Sequence, residues 1–205
     1  SLPLLVISEP APAATSAGPV SYTIQYLGNS SVTIGREDIS LLATGTAQGT
    51  VTLVSSGAAT WRATISAISG DGTLRLSVAL NAGGRQPGPS ARAESPAVLV
   101  DNSTPLIASP LTATPPNAAA GSEILFQLSA SDSSLLRYEW DCGDGITHST
   151  TEPFVVHHYA APNVYFVTVT AIDALGFRTQ AQMFYGVGDG PPHVGRVQPP
   201  RAMNG

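Results

Sequence analysis

Apolar residues recur at every second position along most of this chain, and nowhere at helical spacing over three turns. Between Thr60 and Ser69, Trp61, Ala63, Ile65 and Ala67 fall on one face and Arg62, Thr64 and Ser66 on the other. Successive side chains of an extended strand project to opposite sides, so the pattern predicts a strand buried on one face and solvated on the other. The same alternation runs through VSYTIQYL at 20–27, TVTLVSS at 50–56 and TLRLSVAL at 73–80, with GNSS, TGTAQG and SGDG as turn signals between them. The fold class this predicts is all-β. Trp61 is assigned to the core, with an exposed sugar-stacking role as its alternative.

At 205 residues the chain is longer than a single β-sandwich of about 100, which predicts two domains. Strand patterning breaks at DNSTPLIASP, placing one domain at 1–104 and a second at 105–188, followed by a Pro/Gly-rich tail at 189–205. There is one cysteine, so no intrachain disulfide is possible and each core must hold by packing. Lysine is absent, and Ser and Thr supply most polar positions, a composition suited to a surface exposed outside the cell.

Five Arg against six acids in 1–104 and four against eight in 105–205 give −1 and −4, which sum to the net charge of −5. Neither half offers a basic stripe that could neutralise phosphates, which excludes nucleic acid and anionic membranes as partners. The opening LPLLVI is far too short to span a bilayer, and no charged segment precedes it, so a signal peptide is expected to have been removed or never to have been present.

The run SAGPVSYTIQYLGNSSVTIGREDISLLATGTAQGTVTL, followed by ISGDGTLRLSV and AVLVDNSTP, resembles the bacterial immunoglobulin-like repeats of large surface and secreted proteins. In the second half, YEWDCGDG leads to EPFVVHHYAAPNVYFVTVTAIDALG and a closing strand around QAQMFYGV. This stretch, 109–186, resembles the polycystic-kidney-disease (PKD) domain, whose pattern is a Trp-Asp-aromatic-Gly-Asp-Gly turn, a His-x-Tyr step and alternating Val/Thr ending in Asp-x-x-Gly. Together the resemblances imply two tandem immunoglobulin-like antiparallel β-sandwiches. They also imply an extracellular or cell-surface location and no catalysis. Cys142 stands where the PKD pattern has an aromatic and Asn163 where it has Gly; both departures are mild, since free Cys packs as a small hydrophobe and Asn tolerates positive φ.

The residues themselves explain the turn. Tyr138, Trp140 and Cys142 share the inward phase, while Arg137, Glu139 and Asp141 face out. Gly143, Asp144 and Gly145 then reverse the chain, with Asp141 and Asp144 positioned to accept backbone amides. By the same resemblance His157, Tyr159, Tyr165, Asp173 and Gly176 are structural core and turn positions. A sharper reading would gather His148, His157, His158, Asp141 and Asp144 into a metal or acid–base cluster. Strand geometry argues against it: adjacent His157 and His158 project to opposite faces, and nothing obvious converges the two aspartates. No nucleophile elbow or phosphate-cradling loop is present, and no cofactor is expected apart from one candidate cation.

That cation is Ca²⁺, for which Asp101 and Asn102 at the domain boundary are hard-ligand candidates; the alternative is that both only bond the local turn. Asn29-Ser30-Ser31 and Asn102-Ser103-Thr104 fit the N-glycosylation acceptor pattern. The function expected is a structural spacer in an extracellular protein, appendage or filament, partnered by other domains or subunits; the alternative is an adhesion module for carbohydrate or protein. Leu2 to Ser8 is expected to pair with its own sandwich, or else to complete a neighbour's sheet and polymerise the chain.

Overall fold

Alternation becomes layering. In the computed structural model, which describes residues 4–27, 34–79 and 92–188, the strand Val20–Leu27 buries Val20, Tyr22, Ile24 and Tyr26 and turns Thr23, Gln25 and Leu27 to solvent. The chain divides into two units: Ser1–Pro105 together with the short connections Asp132–Leu135 and Asp173–Phe177, and the remainder from Leu106 onward.

In the first half the strands are β1 (Leu4–Ile7), β2 (Ala14–Thr15), β3 (Val20–Leu27), β4 (Ile39–Ala43), β5 (Gln48–Gly57), β6 (Thr60–Ser69), β7 (Gly72–Ala79), β8 (Arg92–Glu94) and β9 (Val98–Val100). The second half adds β10 (Leu106–Thr114), β11 (Ala118–Ala119), β12 (Ile124–Ser131), β13 (Arg137–Asp141), β14 (Thr147–Thr150), β15 (Phe154–His157), β16 (Asn163–Ile172) and β17 (Arg178–Gly188). One sheet of the first unit runs β1-β3-β6-β5; the other runs β2-β9-β7-β4, with β8 beside β7. In the second unit the sheets run β10-β12-β15 and β11-β17-β16-β13-β14. Both units open in the same way. The first strand joins one sheet antiparallel, and after a short break the chain crosses to the other sheet as a two-residue parallel ladder, β2 on β9 and β11 on β17. Each is an immunoglobulin-like β-sandwich, antiparallel outside those two ladders.

Leu4–Ile7 pairs with β3 of its own unit, Leu4 opposite Leu27 and Ile7 opposite Ile24, while Leu5 and Ile7 pack on the core. That core holds Tyr22, Ile24, Trp61, Ile65, Leu74 and Leu76; Tyr26 and Trp61 meet edge to face at 6.3 Å. Burying each such side chain stabilises by about 1.5–3 kcal/mol. Trp61 is therefore a core residue, 5 % exposed.

Ala67 corrects the simple alternation. It is exposed, and Ile68 is buried in its place. Thr50 pairs with Ser66 and Gln48 with Ser69, so the single residue Gly49 faces two, Ala67 and Ile68. This β-bulge shifts the phase of β6 by one residue, and Ala67 takes up the distortion at φ +50°. Gly49 permits it: a Cβ there would lie 2.6 Å from Ile65 Cγ2.

The second core collects Phe126, Tyr138, Trp140, Tyr159, Val167, Val169 and Tyr185 between its sheets. Tyr159 stacks on Tyr165 with ring centroids 3.8 Å apart, and Phe126 meets Tyr185 edge to face at 5.3 Å. Trp140 Nε1 donates to Thr150 Oγ1 at 3.0 Å, so its one polar atom is satisfied despite burial.

Candidate functional site

Three carboxylates meet in the first unit. Asp101 follows β9, Asp132 follows β12 and Asp173 follows β16, each at the point where a strand gives way to a turn. One oxygen from each lies within 4.8 Å of the others. Oxygens of all three also build the turns themselves. Asp173 Oδ1 accepts the amides of Leu175 at 2.8 Å and Phe177 at 2.9 Å, with Gly176 at φ +93° completing the reversal. Asp101 Oδ1 accepts the amide and hydroxyl of Ser103, and that hydroxyl also reaches Asp132 Oδ1. Asp132 Oδ2 accepts the Ser134 hydroxyl at 3.0 Å.

Asp101 is wholly buried and Asp173 is 4 % exposed, yet Oδ2 of each has no hydrogen-bond partner. Burial pushes the Asp101 carboxyl up, and the surrounding hydroxyls of Ser134, Ser133 and Ser103 more than offset it, leaving it below the ordinary range. Among the described residues no basic side chain pairs with any of the three. Buried anionic oxygens without donors are costly, and a hard cation is the chemistry that satisfies them. Two oxygens bound to one Ca²⁺ at about 2.4 Å stand no more than about 4.8 Å apart, a limit that all three pairs of carboxylates meet.

Asn102 lies beside this cluster, but its side chain is engaged elsewhere: Nδ2 donates to Gly70 O and its own amide donates to Asp71 Oδ1, both at 2.6 Å. The Asn102 side chain is exposed; Asn29 lies outside the described residues. Asp132 and Ser103 were not among the sequence candidates. The only signal for Asp132 is positional, an acid at the exit of a strand in SASDSS, as Asp173 is in TAIDALG.

The WDCGDG turn belongs to the second unit. Asp141 Oδ1 accepts the Gly143 amide at 2.9 Å and Asp144 Oδ1 the Ile146 amide at 3.0 Å, the turn-building bonds expected of both. Gly143, at φ +79°, passes so close to β16 that a Cβ would sit 2.6 Å from Phe166 O. Gly145 follows at φ +89°. Cys142 is fully buried; burial, with Asp144 and Asp141 nearby, pushes its thiol up to about 12.

The expectation that nothing converges the two aspartates, and with them the histidines of the opposite sheet, holds for Asp141 but not for Asp144, which is brought to His157 and through it to His148. Asp144 Oδ2 lies 2.9 Å from His157 Nε2, and His157 Nδ1 lies 3.3 Å from His148 Nε2. The scaffold is tertiary: the β13–β14 hairpin sets His148 opposite Trp140, while β15 brings His157 across from the facing sheet. Asp141 is not part of the group, and exposed His158 points away toward Glu123 at 3.7 Å. Burial pushes the Asp144 carboxyl up, and the Ile146 amide and His157 outweigh it, so it sits below its ordinary range.

The outward face of the β16–β17 ladder carries a third feature. Phe166 and Phe184 pair across the strands with ring centroids 4.9 Å apart, 43 % and 72 % exposed. Next to them a polar groove of about 810 Å³ is lined by Glu139, Asp141, Thr168, Thr170, Gln180 and Gln182 among others. No helix of the described residues is long and apolar enough to cross a membrane.

A search of curated proteins finds no significant match. Among solved structures, the PKD1 domain of Vibrio cholerae metalloprotease PrtV is 26 % identical, with TM-score 0.33, over 42 % of this chain and 98 % of that one. A carbohydrate-binding module of the β-sandwich superfamily is 21 % identical, with TM-score 0.42, over 47 % of this chain and 39 % of that one, so the chain spans about two fifths of its length. The Dpr11–DIP-gamma immunoglobulin complex is 11 % identical, with TM-score 0.46, over 90 % of this chain and 98 % of that one. Residues 110–184 match the family model of the PKD domain, the segment on which the WDCGDG turn, the His157-x-Tyr159 step and Asp173 all lie.

Proposed function

We propose that the chain is a non-catalytic structural segment of an extracellular protein, a spacer whose first unit is completed by Ca²⁺. The PKD domain is a non-catalytic module, which supports the first part. The observation that carries the second is the pair of buried, unpartnered oxygens on Asp101 and Asp173, in carboxylates that cluster with that of Asp132. A site built from hard oxygens at strand exits, with an affinity in the range of about 0.1–1 mM found for extracellular modules, fills outside the cell and not in the cytosol. Asp101, Asp132 and Asp173 are the proposed ligands, and Ser103 orders two of them.

The test is thermal unfolding of the whole chain in millimolar Ca²⁺ and in chelator. At a free Ca²⁺ about ten times Kd, a ligand bound only by the folded state adds about 1.4 kcal/mol, a rise of several degrees. An unchanged transition would dismiss the site. A second reading, a carbohydrate-binding face, is favoured by Phe166 and Phe184, an exposed aromatic platform beside a groove of hydroxyl, amide and carboxylate groups. Retardation of the native chain in gels containing soluble polysaccharides, relieved by Phe184→Ala, would establish that face; equal mobility in every gel would remove it.

A further inference from the structure

We infer that Cys142, His148 and His157 form a soft-metal site, with Zn²⁺ the cation that fits. Cys142 Sγ and one ring nitrogen of each histidine lie within 4.8 Å of one another. The decisive distance is the 3.3 Å between His148 Nε2 and His157 Nδ1. Two nitrogens bound to one tetrahedral Zn²⁺ at about 2.0–2.1 Å stand about 3.3–3.4 Å apart, so the pair already has the edge length of such a site. A sulfur at about 2.3 Å from the same ion stands about 3.6 Å from each nitrogen, so Sγ must close by roughly 1.2 Å at most.

Asp144 makes the arrangement more than a chance contact. Its Oδ2 accepts from His157 Nε2 at 2.9 Å, which leaves Nδ1 with its lone pair directed at His148. A ligating histidine held by a carboxylate through its other nitrogen is the arrangement that fixes tautomer and ring orientation at zinc centres. Tyr159 packs edge-on against His157 at 4.6 Å and buttresses the ring from the core. Without the metal, a proton lies between the two imidazoles. On binding, the cation takes its place, that proton passes to Nδ1 of His148, so that both imidazoles stay neutral, and Cys142 loses its thiol proton to solvent. His148 is on the edge strand β14 and partly exposed, giving the ion its way in and a fourth position for water or an external donor.

The site is independent of the carboxylate cluster: it draws on nitrogen and sulfur, and its residues lie in the second unit. The test uses the untagged, reduced full chain with Ca²⁺ held saturating and Co²⁺ as the spectroscopic substitute for Zn²⁺. Expected are one Co²⁺ per chain, thiolate-to-cobalt charge transfer and the intense visible bands of four-coordinate cobalt, all bleached by Zn²⁺. Cys142→Ser and His148→Gln should each abolish the charge-transfer signal or weaken binding more than tenfold, while His158→Gln leaves it intact. Asp144→Asn should weaken affinity about 10–100-fold, as loss of an orienting carboxylate does. His148→Gln, a partly exposed edge position, keeps the comparison sound if Cys142→Ser unfolds; circular dichroism checks both. Absence of the thiolate band in folded protein would overturn the assignment, as would a band unchanged in His148→Gln.

Discussion

The hydroxyl of Tyr159 donates to the main-chain carbonyl of Cys142 at 2.7 Å, both groups buried, and so ties the start of the WDCGDG turn to the chain after β15. Tyr159→Phe keeps the ring stacked on Tyr165 but leaves that carbonyl without its partner. A loss of about 1–3 kcal/mol is expected, the cost of an orphaned buried acceptor, measured as a lower urea midpoint with unchanged slope.

Gly143 has two independent reasons to resist substitution, positive φ and the 2.6 Å approach of Phe166 O. Backbone cannot yield as a flexible side chain would. Gly143→Ala should therefore destabilise the second unit by more than the ~1 kcal/mol of a left-handed Ala alone. Gly145, which has nothing within 4 Å of where a Cβ would lie, should bear only that smaller cost on the same substitution.

The bulge in β6 makes a paired prediction. Ala67 sits at φ +50°, so Ala67→Gly should stabilise the first unit by several tenths to ~1 kcal/mol. Gly49→Ala should do the opposite, because its Cβ would meet Ile65 Cγ2 at 2.6 Å and push the bulge out of register. Thermal unfolding of the two variants, moving in opposite directions, checks both.

These positions also mark where the sequence stops being legible. Val20, Tyr22, Ile24 and Tyr26 announce their face because period two is intrinsic to a strand, and YEWDCGDG announces a turn because its glycines and aspartates act on neighbouring amides. The phase of Ile68 does not follow, since the bulge depends on Gly49 in another strand. The carboxylate cluster escapes for the same reason. Asp101, Asp132 and Asp173 lie tens of residues apart, and only the packing of three strand exits brings them together. His148 and His157 were visible as residue types, but their approach needs one hairpin and a strand of the facing sheet.

The carboxylate cluster predicts a sign reversal. With chelator present, three carboxylates within 4.8 Å repel one another, so Asp132→Asn should leave stability equal or higher. With Ca²⁺ present the same variant should lack the increment shown by the native chain. Melting curves of both proteins in both buffers form the test, and a variant that gains as much from Ca²⁺ as the native chain would remove Asp132 from the ligand set.

The edge strand β1 supplies the last prediction. Its register with β3 places Leu5 opposite Tyr26 and Ile7 opposite Ile24, with both side chains packed on the first core. Donation of this strand to a neighbouring molecule would therefore require breaking four residue pairs within its own unit. Deleting residues 1–9 should destabilise the first unit and bare the edge of β3, whose unpaired amides and carbonyls then invite association. The expected outcome is a lower unfolding midpoint and new multimers in sedimentation, both reversed by adding the peptide LPLLVIS in trans. If deletion instead dissolves multimers formed by the native chain while both units stay folded, β1 serves a neighbour and polymerises the chain.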